Sequence, residues 1–124
     1  MPMLTTPAGR FCFFNKPSSS SGPMPTITQQ SLGFNFPGNT YAEPFVDFSQ
    51  TNATDYTWEL NSSATENGTY TQIASGSGRA MEANTITYYG ETTYEYWFNY
   101  KVTVTNSSGS AELYTQNIQN VYPT

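Results

Sequence analysis

Alternation of apolar and polar residues predicts most of the regular structure of this chain. The longest run is residues 94–105, in which the even positions are Tyr, Phe or Val and the odd positions are polar except for Trp97. Since successive side chains of a strand point to opposite faces, this run predicts a strand with one face in a core and the other in solvent. Residues 55–61 alternate in the same way, with Tyr56, Trp58 and Leu60 on the apolar face.

Shorter segments of the same kind predict further strands, at residues 45–49, 69–74 and 85–89. Residues 75–84 contain Gly-Ser-Gly and predict a loop with one helical turn near its end. After a turn at 106–109, residues 110–121 close the domain. The facing of the apolar residues changes there between Leu113 and Ile118, which predicts a β-bulge, because one extra residue reverses the alternation.

Strands of this length, separated by turns, predict an all-β fold: a single antiparallel two-sheet sandwich of about seven strands. Their apolar faces supply a core for one small domain, and each large side chain that is fully buried contributes roughly 1.5–3 kcal/mol. The predicted core residues are Phe48, Trp58, Leu60, Ile73, Ile86, Phe98, Tyr100, Val102, Val104 and Leu113.

Residues 1–40 differ in composition from the rest of the chain. They contain six of the eight prolines, a serine run at 18–21 and no sustained alternation. This composition is typical of a linker, so we divide the chain into an extended N-terminal arm, 1–40, and a sandwich domain, 41–124. Within the arm, residues 27–36 fit either a first strand or an adhesive segment.

The arm is rich in phenylalanine, for which a solvated tail has little use. It therefore either packs on its own domain or docks on a neighbouring subunit, where ordering on binding lets a short segment cover a large surface. In the second alternative, five residues of the arm contact the partner: Phe11, Phe13, Phe14, Phe34 and Phe36.

Two segments resemble the repeat pattern of PKD and bacterial Ig-like domains. FVDFSQTNATDYTWEL, at 45–60, places a short Phe strand before a Tyr-x-Trp strand, and YKVTVTNSSGSAELYTQNI, at 100–118, has a Tyr-x-Val-x-Val-x-Asn strand followed by a Gly turn. The Gly-Asp-Gly after the Trp strand and the Pro-Gly-Thr before Tyr100 are missing, so the resemblance is to Ig-like domains in general. It implies an Ig-like sandwich that serves as a spacer, adhesion module or virion-surface decoration without chemistry of its own. The residues that carry it are Tyr56, Trp58, Tyr100, Val102, Val104, Asn106 and Gly109.

The charge of the chain argues against nucleic-acid and membrane partners. The net charge is −5, and the four basic residues are scattered, whereas binding to phosphates or anionic lipids needs a basic patch. The apolar run at 11–14 is shorter than a signal-peptide core, and no run approaches the roughly 20 apolar residues of a membrane span. The single Cys12 allows no internal disulfide, so we expect synthesis and folding in a host cytoplasm.

The residue types give little support to catalysis. The chain has no histidine, the commonest general base, and Cys12 lies among phenylalanines as a small apolar side chain. A site with paired carboxylates needs a cleft, which a small sandwich offers poorly, so we expect no enzyme and no cofactor. Asp47, Asp55 and Glu59 are either solvated surface acids, the favoured interpretation, or ligands of a calcium site with loop carbonyls.

Trp97 is out of place in its strand, because its neighbours of the same parity are polar and it should point away from the core. Either the arm or a loop covers it, or it contacts a partner, for which a protein is favoured over a sugar. Tyr89 and Tyr114 are expected to extend the same outward patch.

These features predict a non-enzymatic structural protein of a virion, a bacteriophage capsid decoration or cement protein present in many copies. The arm would bind capsid or other virion proteins, and the sandwich would project from the virion surface. The alternative is a carbohydrate-binding or adhesin module that recognises surface glycans through Trp97 and nearby tyrosines.

Overall fold

The computed structural model describes residues 22–36 and 42–121, and these residues form strands and connecting loops without a helix. The strands are β1 (Thr26–Asn35), β2 (Glu43–Thr51), β3 (Asp55–Ser63), β4 (Thr71–Arg79), β5 (Ala83–Thr87), β6 (Trp97–Asn106), β7 (Gly109–Tyr114) and β8 (Ile118–Gln119). The predicted all-β class is confirmed.

The strands form two antiparallel sheets, as predicted for a sandwich. The small sheet has the order β1-β2-β5, and the large sheet has the order β4-β3-β6-β7, with β8 paired to β6 beyond the end of β7. Eight strands are present instead of about seven, because the last predicted segment is divided into β7 and β8.

β1 lies within the predicted arm, where residues 27–36 fit a first strand. Its ten residues, Thr26–Asn35, pair with β2 along their length, so this part of the predicted arm belongs to the small sheet. Ile27 and Leu32 are an odd number of positions apart and would face opposite sides of a regular strand. A register shift between Gln29 and Ser31 inserts one residue, and both apolar side chains therefore pack against the core.

The interior between the sheets matches most of the predicted core. The predicted core residues that are at most 3% exposed are Phe48, Leu60, Ile86, Phe98, Tyr100, Val102 and Val104. Trp58 and Leu113 are half-buried and pack against this cluster. Val46 is fully buried as well, although the short predicted strand at 45–49 did not mark it as a core residue.

Ile73 contradicts the predicted core, because 42% of its surface is exposed. The register of β4 against β3 shifts at this point: Ala74 lies opposite Leu60, and Gln72 lies opposite Asn61. Ile73 is therefore the extra residue of a bulge and leaves the alternation that would have turned it inward.

The predicted loop at 75–84 is wrong over its first half, where β4 continues to Arg79. Gly76 lies opposite Trp58, and Gly78 lies opposite Tyr56. A Cβ atom on Gly76 would be 2.6 Å from the indole nitrogen of Trp58, so the aromatic ring occupies the space above this glycine. An aromatic ring across the ladder compensates for the missing side chain of an edge-strand glycine, which explains why a Gly-Ser-Gly segment is extended here. The helical turn expected near the end of that loop is absent from the described residues.

β6 begins at Trp97, three residues later than the predicted strand. Tyr94 and Tyr96 lie in the preceding loop and are 47% and 37% exposed. Glu95 has a φ of 69°, in the left-handed region, and this interrupts the extended backbone on which the alternation depends. The loop also bonds to Asn120, whose backbone N–H donates to the Tyr96 carbonyl over 2.9 Å.

The predicted irregularity between Leu113 and Ile118 is confirmed. Lys101 pairs with Tyr114, and Phe98 pairs with Ile118. The two β6 residues are three positions apart, whereas their two partners are four positions apart. One extra residue therefore separates β7 from β8. The Thr115 hydroxyl accepts a 2.9 Å hydrogen bond from the Tyr100 backbone N–H, so the interruption leaves this buried donor satisfied.

Tyr100 is expected to make the sandwich less stable at alkaline pH. Its ring is 1% exposed, its hydroxyl donates a 2.6 Å hydrogen bond to the Pro44 carbonyl, and burial raises the pKa of Tyr100 far above its usual value. The unfolded chain loses this proton near pH ~10, while the folded protein retains it. The stabilisation is therefore fully present below that pH and is lost as the pH rises further.

We expect the free energy of unfolding, measured by urea titration, to fall between pH 9 and pH 11. The Tyr100→Phe variant should lose about 1 kcal/mol at pH 7 and most of this alkaline slope. Tyr89→Phe, at a side chain that is 74% exposed, is the matched control and should behave like the parent chain. Equal slopes in the parent and Tyr100→Phe proteins would contradict the assignment.

Candidate interaction surfaces

The described chain begins at one end of the sandwich, beside the β2–β3 and β6–β7 turns. The Asn106 side-chain amide donates to the Pro23 carbonyl (2.9 Å) and to the Asn52 carbonyl (2.7 Å). The Ser108 hydroxyl donates to the Gly22 carbonyl over 2.7 Å. Asn106 also shapes its own turn, because its Oδ1 accepts a 2.6 Å bond from the Ser108 backbone N–H. These bonds fix the place where the chain joins the sandwich, which we call the N-terminal end.

Three of the predicted anchor residues lie outside the described part of the chain: Phe11, Phe13 and Phe14. Phe34 is half-buried, and its ring centroid lies 6.0 Å from that of Phe98 in an edge-on arrangement. Phe36 lies beside it, with 6.2 Å between the ring centroids. Phe34 therefore serves the interior of the sandwich, while a partner contact of Phe36 stays a prediction.

The outward side of the large sheet carries a row of asparagine side chains. Asn61 donates to Asn99 (Nδ2 to Oδ1, 3.0 Å), and Asn99 donates to Asn117 (Nδ2 to Oδ1, 2.9 Å). Asn117 in turn donates to the Glu66 carbonyl over 3.0 Å. We call this row the amide ladder, and we call the surface formed by the ladder, Trp97 and Tyr114 the outer face.

Trp97 lies at the edge of the amide ladder, as its parity predicts. It is half-buried, it precedes Asn99 by two residues on the same side of β6, and its cross-strand neighbours are Ser63 and Gln119. Its indole makes no hydrogen bond within residues 22–36 and 42–121. Trp97 therefore stays a candidate contact residue at the edge of the amide ladder.

Tyr114 lies on the outer face beyond the ladder, opposite Lys101. The Lys101 ammonium is 3.6 Å from the Glu112 carboxylate and 5.7 Å from the centre of the Tyr114 ring. The Glu112 carboxylate raises the pKa of Lys101, and Tyr114 adds to this effect. The Tyr114 hydroxyl donates to Glu112 over 3.0 Å, so the three side chains hold one another in place.

Tyr89 is predicted to extend the same outward patch, and this stays a prediction. It follows β5, and β5 belongs to the small sheet, whereas Trp97 and Tyr114 lie on the large sheet. Its 74% exposure leaves it accessible at the end of the small sheet.

The candidate calcium ligands are separated by the fold. Asp47 lies in the small sheet, where its carboxylate accepts from the Ser31 and Thr85 hydroxyls over 2.5 Å each. Asp55 and Glu59 lie on β3 of the large sheet. Among the described residues, no group of three or more carboxylate, thiol or imidazole side chains is arranged to hold a metal ion. The described residues also include no helix that is long and apolar enough to cross a membrane.

The end of the sandwich opposite to the N-terminal end holds a cavity of about 400 Å³. Its walls are the end of β3, the start of β4 and the loop at 88–96, and they carry the rings of Tyr88 and Tyr96. The alternation of residues 94–105 hides this site, because it predicts residues 94–96 as the start of a strand. A signal was nevertheless present, since Ser and Thr cluster at 62–71 and 92–93 close to these tyrosines.

No known protein family, curated protein or solved structure matches this chain. Its class is therefore defined by its architecture: an antiparallel two-sheet β-sandwich.

Proposed function

We propose that this protein is a non-enzymatic structural protein of a virion, a bacteriophage capsid decoration protein that is anchored through the segment before residue 22. The sandwich would be displayed at the virion surface in many copies. The residue types support a role without catalysis, since the chain has no histidine. The Ig-like resemblance of residues 45–60 and 100–118 agrees with a display role.

The observation that carries the proposal is the bonding at the N-terminal end. Asn106 and Ser108 donate to the carbonyls of Pro23 and Gly22, so the described chain begins at a defined point of the N-terminal end. That segment contains Phe11, Phe13 and Phe14. An apolar segment fixed to one end of a polar domain suits anchoring at that end and display of the rest.

Removal of residues 1–21 is expected to abolish capsid binding without unfolding the sandwich. Capsids are assembled from the genome that encodes this chain after deletion of its gene, and purified protein is added and sedimented with them. We expect the full chain to bind in a saturable amount and the shortened chain to bind at least about a hundredfold more weakly, because burial of a Phe contributes roughly 1.5–3 kcal/mol.

The matched variants keep the full chain length. The triple variant Phe11→Ser, Phe13→Ser, Phe14→Ser should abolish sedimentation. Met81→Ser, at a side chain that is 63% exposed on the sandwich, should not. Circular dichroism checks that each variant folds. The proposal fails if the full chain stays in the supernatant, or if the shortened chain sediments equally well.

A second candidate function is a carbohydrate-binding or adhesin module, and the outer face favours it. There an amide ladder adjoins Trp97, and amide groups and an aromatic surface together suit the hydroxyls and apolar C–H groups of a glycan. Binding on a glycan array that is lost in Trp97→Ala but kept without residues 1–21 would favour this candidate over capsid anchoring.

A further inference from the structure

The cavity at the end opposite to the N-terminal end combines aromatic rings with hydroxyl groups. Phe98 lies at its inner side, and Tyr88 and Tyr96 stand on its wall. At about 400 Å³ it falls within the range of roughly 300–1,000 Å³ that is typical of small-molecule sites. Its wall thus offers an apolar surface on which a ring can pack.

The same wall also carries hydroxyl groups and one carboxylate. The hydroxyls of Ser62, Thr71 and Thr93 and the carboxylate of Glu91 have no hydrogen-bond partner within residues 22–36 and 42–121. Thr92 differs, because its hydroxyl is used by the fold: it donates to the Ala42 carbonyl over 2.7 Å. A hydroxyl both donates and accepts, so these groups suit a ligand that also carries hydroxyls.

The charge of the cavity selects against anions. Glu91 is its acidic group, and none of the described residues that line it is a lysine or an arginine. A phosphate, sulfate or carboxylate ligand would meet a like charge without a cation to neutralise it. A neutral ligand can instead donate its hydroxyls to the carboxylate, and hydrogen bonds to a charged acceptor are the stronger ones.

The wall of the cavity is preformed. Asn120 is fully buried, and its side-chain amide donates to the Thr92 hydroxyl (3.0 Å) and to the Thr93 carbonyl (3.1 Å). The Glu95 backbone N–H donates to the Asn120 carbonyl over 2.8 Å. The loop that carries Tyr96 is therefore held at several points, and a preformed site loses less conformational entropy on binding.

We propose that this cavity binds one neutral saccharide unit. The apolar C–H face of a sugar ring packs on the Tyr96 ring, and its hydroxyls exchange hydrogen bonds with Ser62, Thr71 and Thr93 and donate to Glu91. The proposal is independent of capsid anchoring. Its ligand class is that of the second candidate function, but its site lies apart from the outer face.

The test uses the full chain and saturation-transfer NMR with glucose, galactose, mannose and N-acetylglucosamine, with glucuronate as the anionic comparison. We expect at least one neutral sugar to bind with a Kd on the order of 1 mM and glucuronate to bind more weakly. Tyr96→Ala should weaken the binding at least about tenfold, and Glu91→Gln about threefold or more.

Matched controls lie outside the cavity: Glu82→Gln, at an exposed carboxylate, and Met81→Ala, at an exposed apolar side chain, should leave the Kd unchanged. Since Glu91 is exposed, Glu91→Gln keeps the test valid if Tyr96→Ala fails to fold. Three results would overturn the proposal: no saturation transfer from any neutral sugar, binding lost in Trp97→Ala but kept in both cavity variants, or occupation of the cavity by a peptide of residues 8–17 instead of sugars. The first two outcomes leave the sedimentation result with capsids unchanged, so the two proposals can fail separately.

Discussion

Gly76→Val is expected to destabilise the sandwich by about 3 kcal/mol, although valine is the better strand former. The new Cβ would stand 2.6 Å from the indole nitrogen of Trp58, and the Trp58 ring is held edge-on against Tyr100 with 5.9 Å between the ring centroids. Either the indole leaves its place in the interior or β4 separates from β3. Urea unfolding gives the size of the loss, and near-ultraviolet circular dichroism reports the displaced indole.

Ser77→Val is the matched control, because it makes the same change at the adjacent position, whose side chain is exposed. This variant should stay within about 0.5 kcal/mol of the parent protein. If Gly76→Val proves as harmless as Ser77→Val, the aromatic ring does not occupy the space above the glycine.

Asn120→Ala is expected to cost about 2–3 kcal/mol, through loss of the buried donors that hold the loop at 88–96. The Thr92 hydroxyl and the Thr93 carbonyl each lose one hydrogen bond. In this variant we expect amide hydrogen exchange to become faster than in the parent protein within this loop and to stay unchanged in β6. Hydrogen-exchange mass spectrometry resolves the two segments.

Two further variants test this assignment. Asn120→Asp keeps the shape but removes both donors and adds a buried charge, so its loss at pH 7 should be at least as large. Asn117→Ala, at a half-buried amide of the ladder, should cost less than about 1 kcal/mol. Equal losses at Asn117 and Asn120 would contradict a special role of the buried amide.

The sequence pattern predicted the parts of the fold that follow the period-two alternation of a regular strand. Phe98, Tyr100, Val102 and Val104 are buried as their alternation predicts, because the period of a strand is a property of neighbouring residues. The extra residue after Leu113 was visible for the same reason, since it changes the parity within a few positions.

The alternation did not predict the bulges or the ends of the loops. The alternation predicts Ile73 as a core residue, but Ile73 is the unpaired residue of the bulge in the β3–β4 register. Tyr96 continues the alternation of β6, yet Glu95 before it has a left-handed backbone that ends the strand. In each case the deciding contact is made with a residue distant in sequence, such as Leu60 or Asn120.

The candidate sites divide in the same way. The sequence by itself identified Trp97 and Tyr114 as outward aromatic residues, whereas it assigned Phe34 to the arm although this residue lies in β1. Only the tertiary structure joined Asn61, Asn99 and Asn117 into a ladder, because they lie on β3, on β6 and in the segment between β7 and β8.

The sequence thus determined the class of the protein, an all-β sandwich, through period-two alternation and turn residues. The tertiary structure decided that β1 belongs to the sheet, that Gly76 lies in a strand beneath Trp58, and that a cavity opens between β3, β4 and the loop at 88–96. The physical reason is the range of the interactions: alternation is written in adjacent residues, whereas pairing, ring packing and concave surfaces arise only when distant segments meet.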